Sequence, residues 1–329
     1  MRRREFIAGL GSAAVWPVVT TAQQTAMPVI GYLNGFSPND APFRNAVSYF
    51  RQGLADTGYI EGRNVAIEYR WAEEHNDRLP ALVADLVRRR VAVIVVANTT
   101  AAALAAKAAT QTIPIVFAMG GDPVAFGLVE SLRHPGGNLT GTSVLQTAVI
   151  AKRLELLHEL MPAATRIAFL SNPANPAVVE AEMNEMKPAA RELGLQLLVL
   201  HASNEREIET AFETLAQQQA EGLLVSADVF FLARRDQVIA LAARHAVPAV
   251  YASSEVTVAG GLMSYATSRF DAAHLLGVYA GRILKGEKPA DLPVQQSTRV
   301  EMIVNLKTAK ALGLTVPQSI LLRADTVIE

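Results

Sequence analysis

The chain has 329 residues, half of them hydrophobic and 19% charged, with a formal net charge of −1 and no cysteine. This is the composition of a folded globular chain, and the length suits about two domains, each able to bury its own core. The lack of cysteine excludes disulfides, thiolate chemistry and cysteine-held metals, and the balanced charge without an internal basic tract excludes a nucleic-acid footprint.

Residues 1–24 read MRRREFIAGLGSAAVWPVVTTAQQ, with Arg2, Arg3 and Arg4 ahead of an uncharged stretch from Ile7 to Val19. That order predicts a cleavable export signal over residues 1–22, with Arg3 to Ile7 resembling a twin-arginine core. An ordinary secretory signal with a surplus arginine would read the same way. The apolar stretch falls short of the roughly 20 residues of a membrane span, and charges interrupt every later apolar run. Cleavage would remove three arginines and one glutamate, leaving 27 basic and 30 acidic residues and a net charge of −3. With no cysteine to carry a lipid, the expected product is a freely soluble periplasmic protein without membrane insertion.

From Val29 onward, short valine, isoleucine and leucine runs alternate with segments of helical period, which predicts α/β lobes built on parallel sheets. The strand-like runs are Val29 to Leu33, Val65 to Trp71, Val91 to Ala97 and Pro114 to Ala118, then Arg166 to Ser171, Gln196 to His201, Gly222 to Ser226 and Pro248 to Tyr251. Phe43 to Thr57, Arg78 to Arg89, Thr100 to Ala109, Thr147 to Met161, Val178 to Leu193, Glu205 to Gln217 and Ala233 to His245 read as helices, and Gly58 and Gly194 sit where helix ends favour left-handed residues. Two series of four strands indicate two doubly wound lobes, with the turn-rich Gly136 to Gly141 as the first crossover. Gly260 to Tyr265 reads as a short strand, Phe270 to Leu284 as a helix and Gly286 to Pro293 as a linker. The expected division is a first lobe of residues 28–141 plus 261–287 and a second of 142–260 plus 288–329, joined by a multi-crossing hinge.

In parallel α/β sheets, ligands sit at the carboxyl ends of the strands, where helix N-termini converge. Those ends carry small and polar residues: Asn34 and Phe36 after the first strand, Asn98, Thr99 and Thr100 after the third, Asp122 after the fourth. In the second series they are Asn172 and Asn175, then Asp228, with Tyr251 at the last strand. Free N–H groups near Thr99 and Thr100 suit a carboxylate, and Asp228 beside Phe230 and Phe231 suits an ammonium with apolar neighbours. Helix capping explains the same residue types at Thr99 and Asp228, so both readings stand at this level. No nucleophile elbow, P-loop or HExxH motif occurs, and six dispersed histidines offer no metal pair, so neither catalysis nor any cofactor or metal is expected.

Five segments add a resemblance: Phe50 to Leu54 with Gly58 to Val65; Thr110 to Phe117; Asp122-Pro123-Val124 with Gly127 to Val129; Pro135 to Gly141; and Ile283 to Pro289. As an ordered set they resemble the substrate-binding proteins of ABC transporters, in the branch with a type I periplasmic-binding fold that includes tryptophan and tyrosine binders. The resemblance implies a monomer whose inter-lobe cleft closes on a small carboxylate-bearing solute, an amino acid or aromatic acid, and then docks on a membrane permease. It places Asn98, Thr99, Thr100, Asp122, Asn172, Asn175 and Asp228 at ligand-contacting positions, with Gly120-Gly121 departing from the larger residue and threonine common there. An exported hydrolase-like enzyme and a receptor-coupled solute sensor are the alternatives that the cleft residues leave open.

Overall fold

The computed structural model describes residues 27–97, 99–144, 149–297 and 300–329. The export signal and Asn98 lie outside the described residues. The first lobe begins β1 (Val29–Asn34), α1 (Ala41–Asp56), β2 (Ala66–Trp71), α2 (Leu79–Arg88), β3 (Val93–Ala97), α3 (Thr100–Ala109), β4 (Ile115–Met119) and β5 (Leu139–Val144). The chain then builds α4 (Ile150–Leu160), β6 (Arg166–Ser171), α5 (Pro176–Glu192), β7 (Gln196–His201), α6 (Glu205–Gln217) and β8 (Gly222–Val225). There follow α7 (Val229–Ala233), α8 (Arg235–Arg244), β9 (Ala249–Tyr251), α9 (Ser254–Val258), β10 (Met263–Thr267), α10 (Arg269–Leu284) and β11 (Gln295–Ser297). The last elements are β12 (Val300–Asn305), α11 (Leu306–Ala311), α12 (Gln318–Leu321) and β13 (Thr326–Ile328).

Two sheets result. One has the order β11-β5-β4-β3-β1-β2 and is parallel throughout; the other runs β13-β12-β10-β9-β8-β6-β7, with β10 and β12 its single antiparallel pairing. Both are covered on two faces, as the near-continuous apolar runs require. In β3, Val93 and Val95 face one hydrophobic cluster while Ile94 and Val96 face another; in β6, Ile167 and Phe169 alternate in the same way with Ala168 and Leu170. Gly58 and Gly194 take the left-handed conformation expected of them, with φ of 91° and 70°.

The sheets move the crossovers from where the sequence put them. Leu139 to Val144 is not a turn but a fully buried strand: two of its hydroxyls find backbone acceptors, Thr140 Oγ1 donating to the Leu292 carbonyl and Ser143 Oγ to that of Gly121. β10 joins the second sheet through β9 and β12, so the chain returns to the first lobe after Thr267, not near residue 261. β11 still pairs with β5, so the final departure follows Ser297 rather than residue 287. The expected helix from Ala233 to His245 is α8, and ahead of it stands an unforeseen short helix, α7, headed by Asp228.

After the second crossing, α10 docks against α1 at very close range. A Cβ on Gly53 would lie 1.9 Å from the His274 carbonyl oxygen, and one on Gly277 would lie 2.1 Å from that of Phe50. Backbone sits against backbone there, so neither helix can yield by turning a side chain. Gly277→Ala is expected to lower the stability of the protein by at least about 1–3 kcal/mol, read as a reduced unfolding midpoint.

Candidate functional site

The carboxyl ends of both sheets open onto one cavity of about 180 Å³. Four helix N-termini reach it: α3 through Thr99, Thr100 and Ala101, α5 through Asn175 and Val178, α7 through Asp228 and Phe230, and α10 through Arg269 and Ala272. Gly35, Phe36, Met119 and Gly120 complete the first-lobe wall, and Asn172, Ala174 and Ser203 that of the second. The volume lies below the roughly 300–1,000 Å³ of drug-sized pockets, so it suits a metabolite of amino-acid size.

Asp228 is the most constrained polar group in the wall. It is 7% exposed; its Oδ1 accepts the Phe230 N–H at 2.9 Å and Asn172 Nδ2 at 3.2 Å, and its Oδ2 accepts Asn175 Nδ2 at 3.0 Å. Asn172 Oδ1 in turn accepts the Ala174 N–H at 3.0 Å, which fixes the direction of the amide. Capping and cavity lining are thus both true of Asp228, because three donors leave a two-oxygen carboxylate with acceptor capacity to spare. On the opposite wall Thr99 is the N-cap of α3, yet its side chain makes no capping bond; its Oγ1 is buried without a partner among the described residues. Asn175 likewise occupies an N-cap without capping and spends its amide on Asp228.

Of the residues singled out in the sequence, Phe36, Thr99, Thr100, Asn172, Asn175 and Asp228 line the cavity. Three others do not. Asn34 is buried below the wall, where its Oδ1 accepts the Phe36 N–H at 2.9 Å and shapes the loop. Asp122 is exposed and closes its own turn by accepting the Val124 N–H at 2.8 Å. Tyr251 is 2% exposed within the second-lobe core, its hydroxyl pushed upward in pKa by burial. Phe231 also turns into that core, leaving Phe230 as the ring at the cavity.

Neither Glu74 nor Arg269 stands out by motif or spacing. Glu73 and Glu74 both have positive φ, 53° and 67°, an uncommon conformation for two successive non-glycine residues. The bend carries Glu74 to the mouth of the cleft, where its two oxygens accept Arg234 Nη1 at 2.9 Å and Nη2 at 2.8 Å from the other lobe. Arg234 also pairs with Glu205 at 2.8 Å and lies over the Phe230 ring, 5.6 Å from its centre.

Behind the Asp228 loop lies a buried support. Glu182 of α5, 0% exposed, accepts the Ala227 N–H at 2.8 Å and the Ser226 hydroxyl, with Arg153 Nη1 4.0 Å away. Arg153, also 0% exposed, donates from Nε to the Tyr265 carbonyl at 2.9 Å. Burial pushes the Glu182 carboxyl up to about 7 against its donors, and lowers the Arg153 guanidinium to about 10, so Arg153 stays charged at neutral pH. Because the folded-state pKa of Glu182 exceeds its ordinary 4.5, the folded state binds more protons between those values. Its contribution to stability therefore falls as pH rises from about 4.5 to about 7. Glu182→Gln should flatten that segment of the profile in chemical denaturation followed at stepped pH.

The chain matches the ABC transporter substrate binding protein family over residues 39–328. It is 29% identical over 266 residues to a tyrosine-binding protein of Clostridioides difficile, covering 80% of this chain and 75% of that one. A solved ABC domain in complex with L-Trp from Streptococcus pneumoniae is 26% identical and superposes with a TM-score of 0.83, covering 92% of this chain and 99% of the other. A ligand-free, open substrate-binding protein with adhesive properties from Clostridium difficile is 25% identical with the same coverage but superposes at only 0.65. At nearly equal identity, the better match to the ligand-bound relative agrees with the Glu74–Arg234 pair bridging the cleft: the lobes here are drawn together. Two doubly wound lobes, strand ends facing a shared cavity and a family match over residues 39–328 have one reading: the chain belongs to the ABC transporter substrate-binding protein family.

Proposed function

We propose that the protein is the periplasmic receptor of an ABC importer, exported and cleaved at its N-terminus, that captures an amino acid with an aromatic or apolar side chain and delivers it to a membrane permease. The observation that carries this reading is the Asp228 carboxylate, held by two asparagine amides and aimed at a cavity whose facing wall offers the unpartnered Thr99 hydroxyl. A carboxylate fixed in that way suits an ammonium group, and Phe36, Met119, Val178 and Phe230 give a side chain apolar surface. The tyrosine and tryptophan named for two relatives are compatible with a cavity of this size and lining. No helix among the described residues is long and apolar enough to cross a membrane, which agrees with a partner supplying the channel. Closure follows as selection of the drawn-together state by a solute that touches both lobes.

Asp228→Asn keeps a side chain able to cap α7 while removing the charge. Its unfolding midpoint should change little, whereas calorimetry should show amino-acid affinity reduced about 10- to 100-fold, the range for losing a hydrogen bond to a charged group. Unchanged affinity would reject the ammonium role. Glu74→Gln, which breaks the cross-cleft pair without touching Asp228, should weaken solute affinity by about two- to fivefold, as expected for a half-exposed ion pair. X-ray scattering should show a larger radius of gyration for that variant when empty.

A further inference from the structure

Arg269 is out of place by local rules. It stands at the first position of α10, where the helix dipole disfavours a cation, directly after the second crossing between lobes. It lines the main cavity and also a small annex of about 20 Å³ whose lining includes Ser226, Asp228, Tyr251, Ser253 and Val256. None of the side-chain hydrogen bonds among the described residues involves its guanidinium, and Nη2 is buried with no partner. Burial depresses its pKa, opposed by attraction from Glu255, whose carboxylate accepts the Ser253 hydroxyl instead. A guanidinium has five donors in a fixed fork, and leaving those on the buried Nη2 dehydrated without an acceptor is costly unless something else supplies one. Position at the cavity and an unpartnered Nη2 agree: the missing acceptor belongs in the cavity.

We propose that Arg269 is the receptor for the solute's acidic group, taking a carboxylate in a bidentate pair and making an acid function a condition of binding. This rests on reading the cavity as the solute site. It assigns the carboxylate to a full charge rather than to the N-terminus of α3, where the helix dipole supplies only partial charge. With Asp228 beside it along the annex, Arg269 completes a dock of opposite charges matched to a zwitterion. The side chain of the solute then points toward Phe36 and Met119, and Thr99 meets its far end. Local sequence rules are broken at this one arginine for the benefit of the site.

The test compares the mature protein with Arg269→Met and Arg269→Lys by calorimetry and thermal unfolding. The probes are L-tryptophan and L-tyrosine, L-tryptophanamide lacking the acid, and indole-3-acetate and succinate lacking the amine. The expected result is that acids bind the parent protein at least tenfold more tightly than the amide. Arg269→Met should lose at least tenfold in affinity for every acid that binds but keep its affinity for the amide. Arg269→Lys should fall between, since charge is kept and the fork is lost. Without solute, Arg269→Met should melt higher than the parent, because a partly buried charge with an unpartnered donor has been replaced by an apolar chain. Acid affinity within threefold of the parent in Arg269→Met, a lower melting point of that variant when empty, or a parent protein that binds the amide as well as the acid would each overturn the assignment. If indole-3-acetate or succinate binds through Arg269 while the two amino acids do not, the amino-acid reading fails and the arginine assignment stands. If no acid binds the parent, the assignment itself fails.

Discussion

Parallel pairing is the constraint from which the site follows. When neighbouring strands of a sheet run the same way, all of them end at one edge, and each succeeding helix must start there with its first N–H groups unsatisfied by the helix itself. The protein brings two such edges face to face, so that α3 and α10 from one lobe and α5 and α7 from the other address a single cavity. Side chains that would ordinarily cap those starts are redirected: Thr99 caps nothing, Asn175 holds Asp228, and Asp228 both caps and faces the cavity. A polar, pre-aligned surface is thereby obtained from backbone geometry, with few charged groups needed.

Charge then enters at chosen points, each supported from behind. The Asp228 loop rests on Glu182, which in turn lies beside Arg153, and Arg153 is tied to the Tyr265 carbonyl of β10, the strand that leads into the second crossing. Site wall and hinge strand are thus two ends of one buried polar chain. At the mouth, the strained turn at Glu73 and Glu74 sends a carboxylate across to Arg234, a contact that exists only while the lobes are together. The three passages of the chain between sheets allow the lobes to rotate against each other while preventing them from parting.

Much of this was readable from residues alone because it depends on patterns that any chain obeys. The buried runs of β1, β3, β4, β6 and β8 stand out by their branched apolar content, and the ends of those strands point to six of the cavity residues. What escaped depends on distant partners. Leu139 to Val144 has the look of a loop because Thr140 and Ser143 are polar, and only the Leu292 and Gly121 carbonyls make their burial tolerable. β10 takes its place in the second sheet between β9 and β12, and the latter lies nearly forty residues later. Asp122 and Asp228 are the same residue after comparable strands, but one turns on itself in solvent while the other is drawn inward by two asparagines. Arg269 is known by the bonds it does not make, a property that no motif encodes.

The glycine-to-backbone contact of α1 with α10 reaches further than packing. Welded there, α10 carries Arg269 as a fixed part of the first lobe, while the annex that encloses the guanidinium is otherwise built from the second. Swinging the lobes apart must then bathe that guanidinium in water, and bringing them together without cargo must strip the water away and return nothing. On the proposed reading, the arginine acts as a toll on shutting empty, so that a permease sampling the population meets mostly vessels that are loaded.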